Sequence, residues 1–212
     1  MPRTTDGPDT RSSADTHGNP DTAPVRVAVI VGSTREGRFC PTAADWFAGR
    51  AETHAGVEVD VVDLAAARLP DTLVESSPLP AEVGALAPRI AAADAFVVVT
   101  PEYNHSFPAP LKTAVDWFFD EWRAKPVGFV SYGGVSGGLR AVEQLRLVFA
   151  ELQATTVRST VCFPNFWDRF DADGGWPRSP EGAEEAAADM LAQLTWWAHA
   201  LRAHRGRVPY PA

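Results

Sequence analysis

The segment Val25–Val31 (VRVAVIV) constrains this chain more than any other. Six of its seven residues are apolar and five are valine or isoleucine. Such a run predicts a strand covered on both faces, the situation of an inner strand in a parallel sheet. It runs directly into Gly32-Ser33-Thr34-Arg35-Glu36-Gly37-Arg38-Phe39-Cys40 and then Pro41. Proline fits the first turn of a helix because its missing N–H would be unpaired there anyway. A buried strand, a glycine-bearing turn and a proline-led helix together form one βα unit.

The same unit recurs. Strands are predicted at Val57–Leu64, Ala95–Thr100, Pro126–Ser131 and, more weakly, Thr156–Phe163. Helices are predicted over Pro41–His54, Ala81–Ala93, Ala109–Trp122, from the glycines after Ser131 to Leu152, and over Glu181–His204. Five strands alternating with helices imply a doubly wound parallel sheet, because right-handed crossovers place helices on both faces. The fold class is therefore α/β, flavodoxin-like, with strand order 2-1-3-4-5. In such sheets ligands bind beyond the carboxyl ends of the strands. The leading segment 1–24 (MPRTTDGPDTRSSADTHGNPDTAP) is polar, has no apolar periodicity and reads as a disordered tail. One domain over 25–212 follows.

Composition removes several classes of function. A net charge of -8 opposes nucleic-acid binding, which needs a basic face. No apolar run approaches the roughly 20 residues of a membrane span. Two cysteines, Cys40 and Cys162, provide no disulfide framework and point to a reducing cytoplasm.

Three loops carry the chemistry. The first, Gly32–Cys40, leads into a helix amino terminus, where free amides and the helix dipole favour an anion. Ser33 offers a hydroxyl, and Arg35 and Arg38 offer charge-assisted bonds to phosphate oxygens. A Walker loop would need a lysine, which is missing here, and a dinucleotide fingerprint would need glycine where Thr34 stands. Cys40 at a helix start is either an activated thiol or a small packing residue. The second loop, Pro101-Glu102-Tyr103-Asn104-His105-Ser106-Phe107-Pro108, is stiffened by two prolines and suits a planar heterocycle; a structured crossover turn is the alternative. The third, Ser131-Tyr132-Gly133-Gly134-Val135-Ser136-Gly137-Gly138, has four glycines in eight positions. That density suits close backbone approach to a flat ligand, whereas a flexible hairpin is the plainer alternative.

The segments GSTREGRF, PEYNHSFPAPLKTAVDW and SYGGVSGG, in that order and on those strands, resemble the NADPH-dependent FMN reductase family, flavodoxin-like flavoenzymes that include quinone, azo-dye and chromate reductases. The resemblance implies that Ser33 and Arg35 hold the FMN phosphate, with Arg38, Phe39 and Cys40 in the same loop. It places Pro101, Glu102, Tyr103 and Asn104 beside the ring and ribityl chain, and Ser131, Gly133 and Gly134 near the other ring edge. Many members have serine where this chain has Arg38 and asparagine where it has Cys40. The resemblance further implies NADPH or NADH as co-substrate and a small-molecule acceptor such as a quinone or free flavin. Members form homodimers or homotetramers, often through the helix after PEYN. Because the cofactor carries the chemistry, no catalytic side chain is expected. A flavodoxin-type electron carrier and a flavin-binding protein without turnover are the alternatives. Outside the resemblance lies Pro164–Pro180 (PNFWDRFDADGGWPRSP), either a lid over the flavin or a subunit-contact arm. In the last helix Leu191, Leu194, Trp197 and Leu201 are expected in the core.

Overall fold

The computed structural model describes residues 23–169, 176 and 181–211. Its five strands are β1 (Val25–Val31), β2 (Val57–Asp63), β3 (Ala95–Pro101), β4 (Pro126–Gly133) and β5 (Thr155–Pro164). All pairings are parallel and the order is β2-β1-β3-β4-β5, as expected. The helices are α1 (Cys40–Thr53), α2 (Leu64–Ala67), α3 (Ala81–Ala92), α4 (Ala109–Trp117), α5 (Leu139–Glu151) and α6 (Glu181–Arg205).

Strand geometry sends alternate side chains to opposite faces, and two cores result. Val27, Val29 and Val31 of β1 join Val97 and Val99 of β3 beneath α1 and α6. Ala28 and Ile30 join Phe96, Val98, Val127 and Phe129 beneath α3, α4 and α5. The inner strands β1, β3 and β4 are buried almost throughout, while β2 and β5 at the edges are only partly covered. Each fully buried valine, leucine or phenylalanine contributes about 1.5–3 kcal/mol, so the inner strands dominate stability. No helix among the described residues is long and apolar enough to cross a membrane.

Three local expectations are corrected. The helix after the second loop ends at Trp117, not Trp122, and Phe118 is already extended. Phe118 and Trp122 are nonetheless buried, so their helical spacing with Leu111 and Val115 persists through a turn. β4 continues through Tyr132 and Gly133, because their backbones pair with Phe163 and Pro164 of β5. In α6 the buried line is Ala187, Met190, Leu191, Leu194 and Ala198, whereas Trp197 is 37 % exposed. Trp197 sits one position off that stripe. Of the expected tail, residues 1–22 lie outside the described residues. The carbonyls of Ala23 and Pro24 accept bonds of 2.7 and 2.9 Å from Arg202 of α6.

Candidate functional site

The carboxyl ends of β1, β3, β4 and β5 bring four loops together, and specific bonds lock each to the next. Ser33, fully buried after β1, has its hydroxyl 2.9 Å from the Tyr103 hydroxyl of the loop after β3. That second loop is a tight turn: Tyr103 and Ser106 exchange backbone bonds of 2.8 and 3.0 Å, with Asn104 and His105 at positive φ between them. A two-residue turn with both φ values positive matches the twist of paired strands and favours asparagine, which tolerates that conformation. Asn104 and His105 consequently project at the surface.

Glu102 couples this turn to the third loop. Its carboxylate accepts from Ser136 Oγ at 2.7 Å, from the Arg140 amide at 3.2 Å and from Arg140 Nη1 at 2.8 Å. Burial alone would raise its pKa, but the bonds from Ser136 and Arg140 hold it below the usual carboxylate value. A carboxylate at the amino end of α5 also satisfies the helix dipole. In the third loop Gly137 and Gly138 have positive φ. A Cβ on Gly137 would lie 2.3 Å from Cys162 Sγ, and one on Gly138 would lie 2.8 Å from Ser131 Cβ. These two glycines serve the turn. A Cβ on Gly133 would also be tight, 3.2 Å from the Gly138 amide, whereas one on Gly134 would make only an ordinary contact, 3.8 Å from Trp167.

The fourth loop opens the segment that the sequence left between a lid over the flavin and a subunit-contact arm. After β5 a 3-10 helix, Phe166–Arg169, folds back over the sheet end. Asn165 donates to the Gly134 carbonyl at 2.9 Å, and Phe166 stacks on Phe39 at 4.5 Å. Tyr132, Phe163 and Trp176 complete the aromatic cluster. The aromatic density of PNFW was the available signal.

The expected phosphate ligands separate into two kinds. Arg35 is exposed, and its guanidinium has no hydrogen bond or ion pair among the described residues. Arg38 is engaged: its two terminal nitrogens each donate at 2.6 Å to Asp63, and one also donates to the Ser33 carbonyl at 2.8 Å. The bonds to Asp63 raise the pKa of Arg38 despite some burial, and lower that of Asp63. Asp63 ends β2 and was missed, since an acidic residue on an edge strand carries no signal by itself. Of the two roles the sequence left open for Cys40, the structure has the packing one. Its thiol is fully buried and donates to the Val99 carbonyl at 3.2 Å, so the side chain packs in the core and faces no ligand space. Burial raises its pKa and keeps it a neutral thiol.

Two further observations bear on an anionic, ring-bearing cofactor. Among the described residues α1 has no side-chain cap at its amino terminus, so first-turn amides are left unpaired at the end of the loop that carries Ser33 and Arg35. Ser131 Oγ, near the end of β4, is buried without a partner among the described residues. A free cation, an uncapped helix terminus and an orphaned hydroxyl suit a phosphate-bearing, hydrogen-bonding ligand.

Residues 25–168 match the family profile described as NADPH-dependent FMN reductase. The chain belongs to that family. It is similar to the NAD(P)H-dependent FMN reductase C4B3.06c of Schizosaccharomyces pombe, 40 % identical over 53 % of this chain and 60 % of that protein. It also resembles the quinone reductase of Escherichia coli K12, 34 % identical over 81 % of this chain and 92 % of that one. Among solved structures, the flavoenzyme NAD(P)H:acceptor oxidoreductase FerB of Paracoccus denitrificans superposes with a TM-score of 0.62. It is 25 % identical and covers 83 % of this chain and 98 % of its own. As a member of that family the protein is an oxidoreductase of the flavodoxin-like fold, with FMN and a reduced nicotinamide as cofactor and co-substrate.

Proposed function

We propose that the four interlocked loops hold FMN, and that the enzyme oxidises NADPH or NADH at the expense of a small acceptor such as a quinone or free flavin. The observation that carries this reading is that the Arg35 guanidinium has no partner among the described residues, in the loop that leads into the uncapped end of α1, while the Arg35 amide donates to Ser33 Oγ, which in turn meets the Tyr103 hydroxyl of the loop after β3. Arg35, Ser33 and the first-turn amides of α1 hold the phosphate. Arg38, already bonded to Asp63, braces that loop and leaves the phosphate to Arg35. Pro101, Glu102, Tyr103 and Asn104 line the ring and ribityl chain, Glu102 through its backbone because its carboxylate is spent on α5. Ser131, Gly133 and Gly134 line the other edge, and Phe39 supports the loop from beneath. When bound, FMN supplies the redox chemistry, taking a hydride equivalent from the nicotinamide and returning electrons to the acceptor. The protein orients and excludes water; no side chain is assigned a proton to move.

The same reading makes the protein a cytoplasmic homodimer or homotetramer. Two free thiols support a reducing compartment. Support for assembly through the α4 region is confined to Phe119, 49 % exposed, because Leu111, Val115, Phe118 and Trp122 are committed to the core. Sedimentation measures the assembly directly. The test of function is the visible spectrum: the purified protein takes up FMN stoichiometrically and is bleached by NADPH alone. A protein that binds no FMN, or that needs a separate reductase for bleaching, overturns this reading.

A further inference from the structure

Trp167 stands apart from the other aromatic residues of the carboxyl edge. Phe39, Tyr132, Phe163, Phe166 and Trp176 pack together through contacts of 4.4 to 5.1 Å. Trp167 touches that cluster edge-on through Phe166, at 5.1 Å, yet remains 54 % exposed. Its indole N–H makes no hydrogen bond to any described residue.

This exposure does not reflect a loose segment. Asn165 donates to the Gly134 carbonyl and Asp168 to the Asn165 carbonyl, both at 2.9 Å. Arg169 Nε donates to the Pro164 carbonyl at 2.9 Å, and Trp176 Nε1 donates to the Phe166 carbonyl at 3.1 Å. The backbone carrying Trp167 is therefore fixed from both sides. The indole edge lies over Gly134, which has no side chain and where an added Cβ would come into ordinary contact with the ring at 3.8 Å. An apolar face and an unused donor are thus held over a glycine backbone, at the end of the sheet where the four loops meet. Tryptophan placed with one side apolar and its N–H unmet is suited to recognising a ring that brings an acceptor.

We infer that Trp167 is the wall of the acceptor site: its indole stacks on a planar quinone, and its N–H meets a quinone carbonyl. This inference rests on the FMN reductase reading and deepens it. Quinone is the occupant because it has only a flat face and carbonyl oxygens to be held by. A dinucleotide has phosphates and riboses with which to anchor itself, so it depends less on a single wall.

The test uses Trp167→Leu and Trp167→Phe in the FMN-loaded enzyme, with 1,4-naphthoquinone and ferricyanide as acceptors. Trp167→Leu removes stacking and donor together, and kcat/KM for naphthoquinone falls about tenfold, mainly through KM. Trp167→Phe keeps a stacking face and loses less, about threefold. The rate of bleaching by NADPH, the FMN affinity and turnover of ferricyanide, which has no flat ring, stay within twofold. A second readout needs no turnover. With oxidised enzyme and no NADPH, naphthoquinone quenches tryptophan fluorescence saturably in the wild type, and the Trp167→Phe variant lacks that component. Unchanged naphthoquinone kinetics and unchanged quenching overturn the inference while leaving the FMN reductase reading intact. Slower NADPH bleaching in Trp167→Leu assigns the wall to the nicotinamide and overturns it as well. A wild-type protein that takes up no FMN overturns both.

Discussion

At the amino edge of the sheet Asp94 is 9 % exposed and accepts bonds from the Arg26 amide at 3.1 Å and from Arg202 Nη1 at 3.0 Å, with Arg205 3.8 Å away. Lys125 donates to the Ile90 and Ala91 carbonyls at the end of α3, and burial lowers its pKa to about 8. Arg202 also holds the carbonyls of Ala23 and Pro24, where the chain enters β1. At the carboxyl edge Glu102 and Arg38 are similarly satisfied, but Arg35, Trp167 and Ser131 keep donors that no described residue uses. The amino edge spends its charges on the fold. The carboxyl edge keeps some for a ligand. Both edges carry arginines and acids, so composition does not separate them; what separates them is whether each group already has a partner.

Four substitutions probe that contrast. The largest effect is expected for Asp94→Ala, which strands Arg202 and Arg205 and leaves the Arg26 amide unmet. Removing one partner of a buried pair typically costs about 3–5 kcal/mol. Urea unfolding of the apoprotein reports it, and the FMN affinity of the folded fraction stays constant. Weakened FMN binding at full stability would place a ligand at the wrong edge.

Next comes a pair of glycines four residues or fewer apart. Gly137→Ala puts a methyl against Cys162 Sγ and strains a residue at φ 61°, for a loss of about 3 kcal/mol from overpacking and the left-handed backbone. Gly134→Ala makes only an ordinary contact, with Trp167 at 3.8 Å, and changes stability by under about 0.5 kcal/mol, with its effect on ligand binding instead. Equal stability losses would mean that the whole loop serves the fold alone.

Glu102→Gln is expected to cost about 1–2 kcal/mol at pH 7, through the lost ion pair with Arg140 and the lost charge at the start of α5. The pH dependence follows from its depressed pKa. A carboxylate with a lower pKa folded than unfolded stabilises the protein above the unfolded value, and that contribution fades as pH falls through the folded one. The gap between wild type and variant therefore closes in acid. A gap that is constant from pH 7 down to pH 3 would show that the carboxylate's charge plays no part.

Much of this was legible in the sequence because the strong signals were local. VRVAVIV and AFVVVT declare buried strands, and their order with intervening helices admits few topologies. The three loops were found because glycine and proline density marks backbone held for a purpose. What sequence could not show was pairing. Asp63 and Arg38 are 25 residues apart and meet only because β2 pairs with β1. Cys40 sits in a loop by sequence but turns inward, since the first turn of α1 rolls it under the sheet. The same pairing problem left the segment after β5 open between a lid and a subunit-contact arm, since its Asn165 meets Gly134 only across the strand ends. The early termination of α4 was invisible because Phe118 and Trp122 keep a helical spacing after the helix has stopped.

The central claim is that Arg35 is the cation reserved for the cofactor phosphate. Paired fluorescence titrations of FMN and riboflavin on wild type and Arg35→Ala test it directly. Because the guanidinium is exposed, the lower end of the range for charged hydrogen bonds applies, about 1.5 kcal/mol, or roughly tenfold. FMN is expected to bind about tenfold more weakly to the variant, with riboflavin, which lacks the phosphate, unchanged. Parallel weakening of both ligands, or no weakening of FMN, would contradict the account.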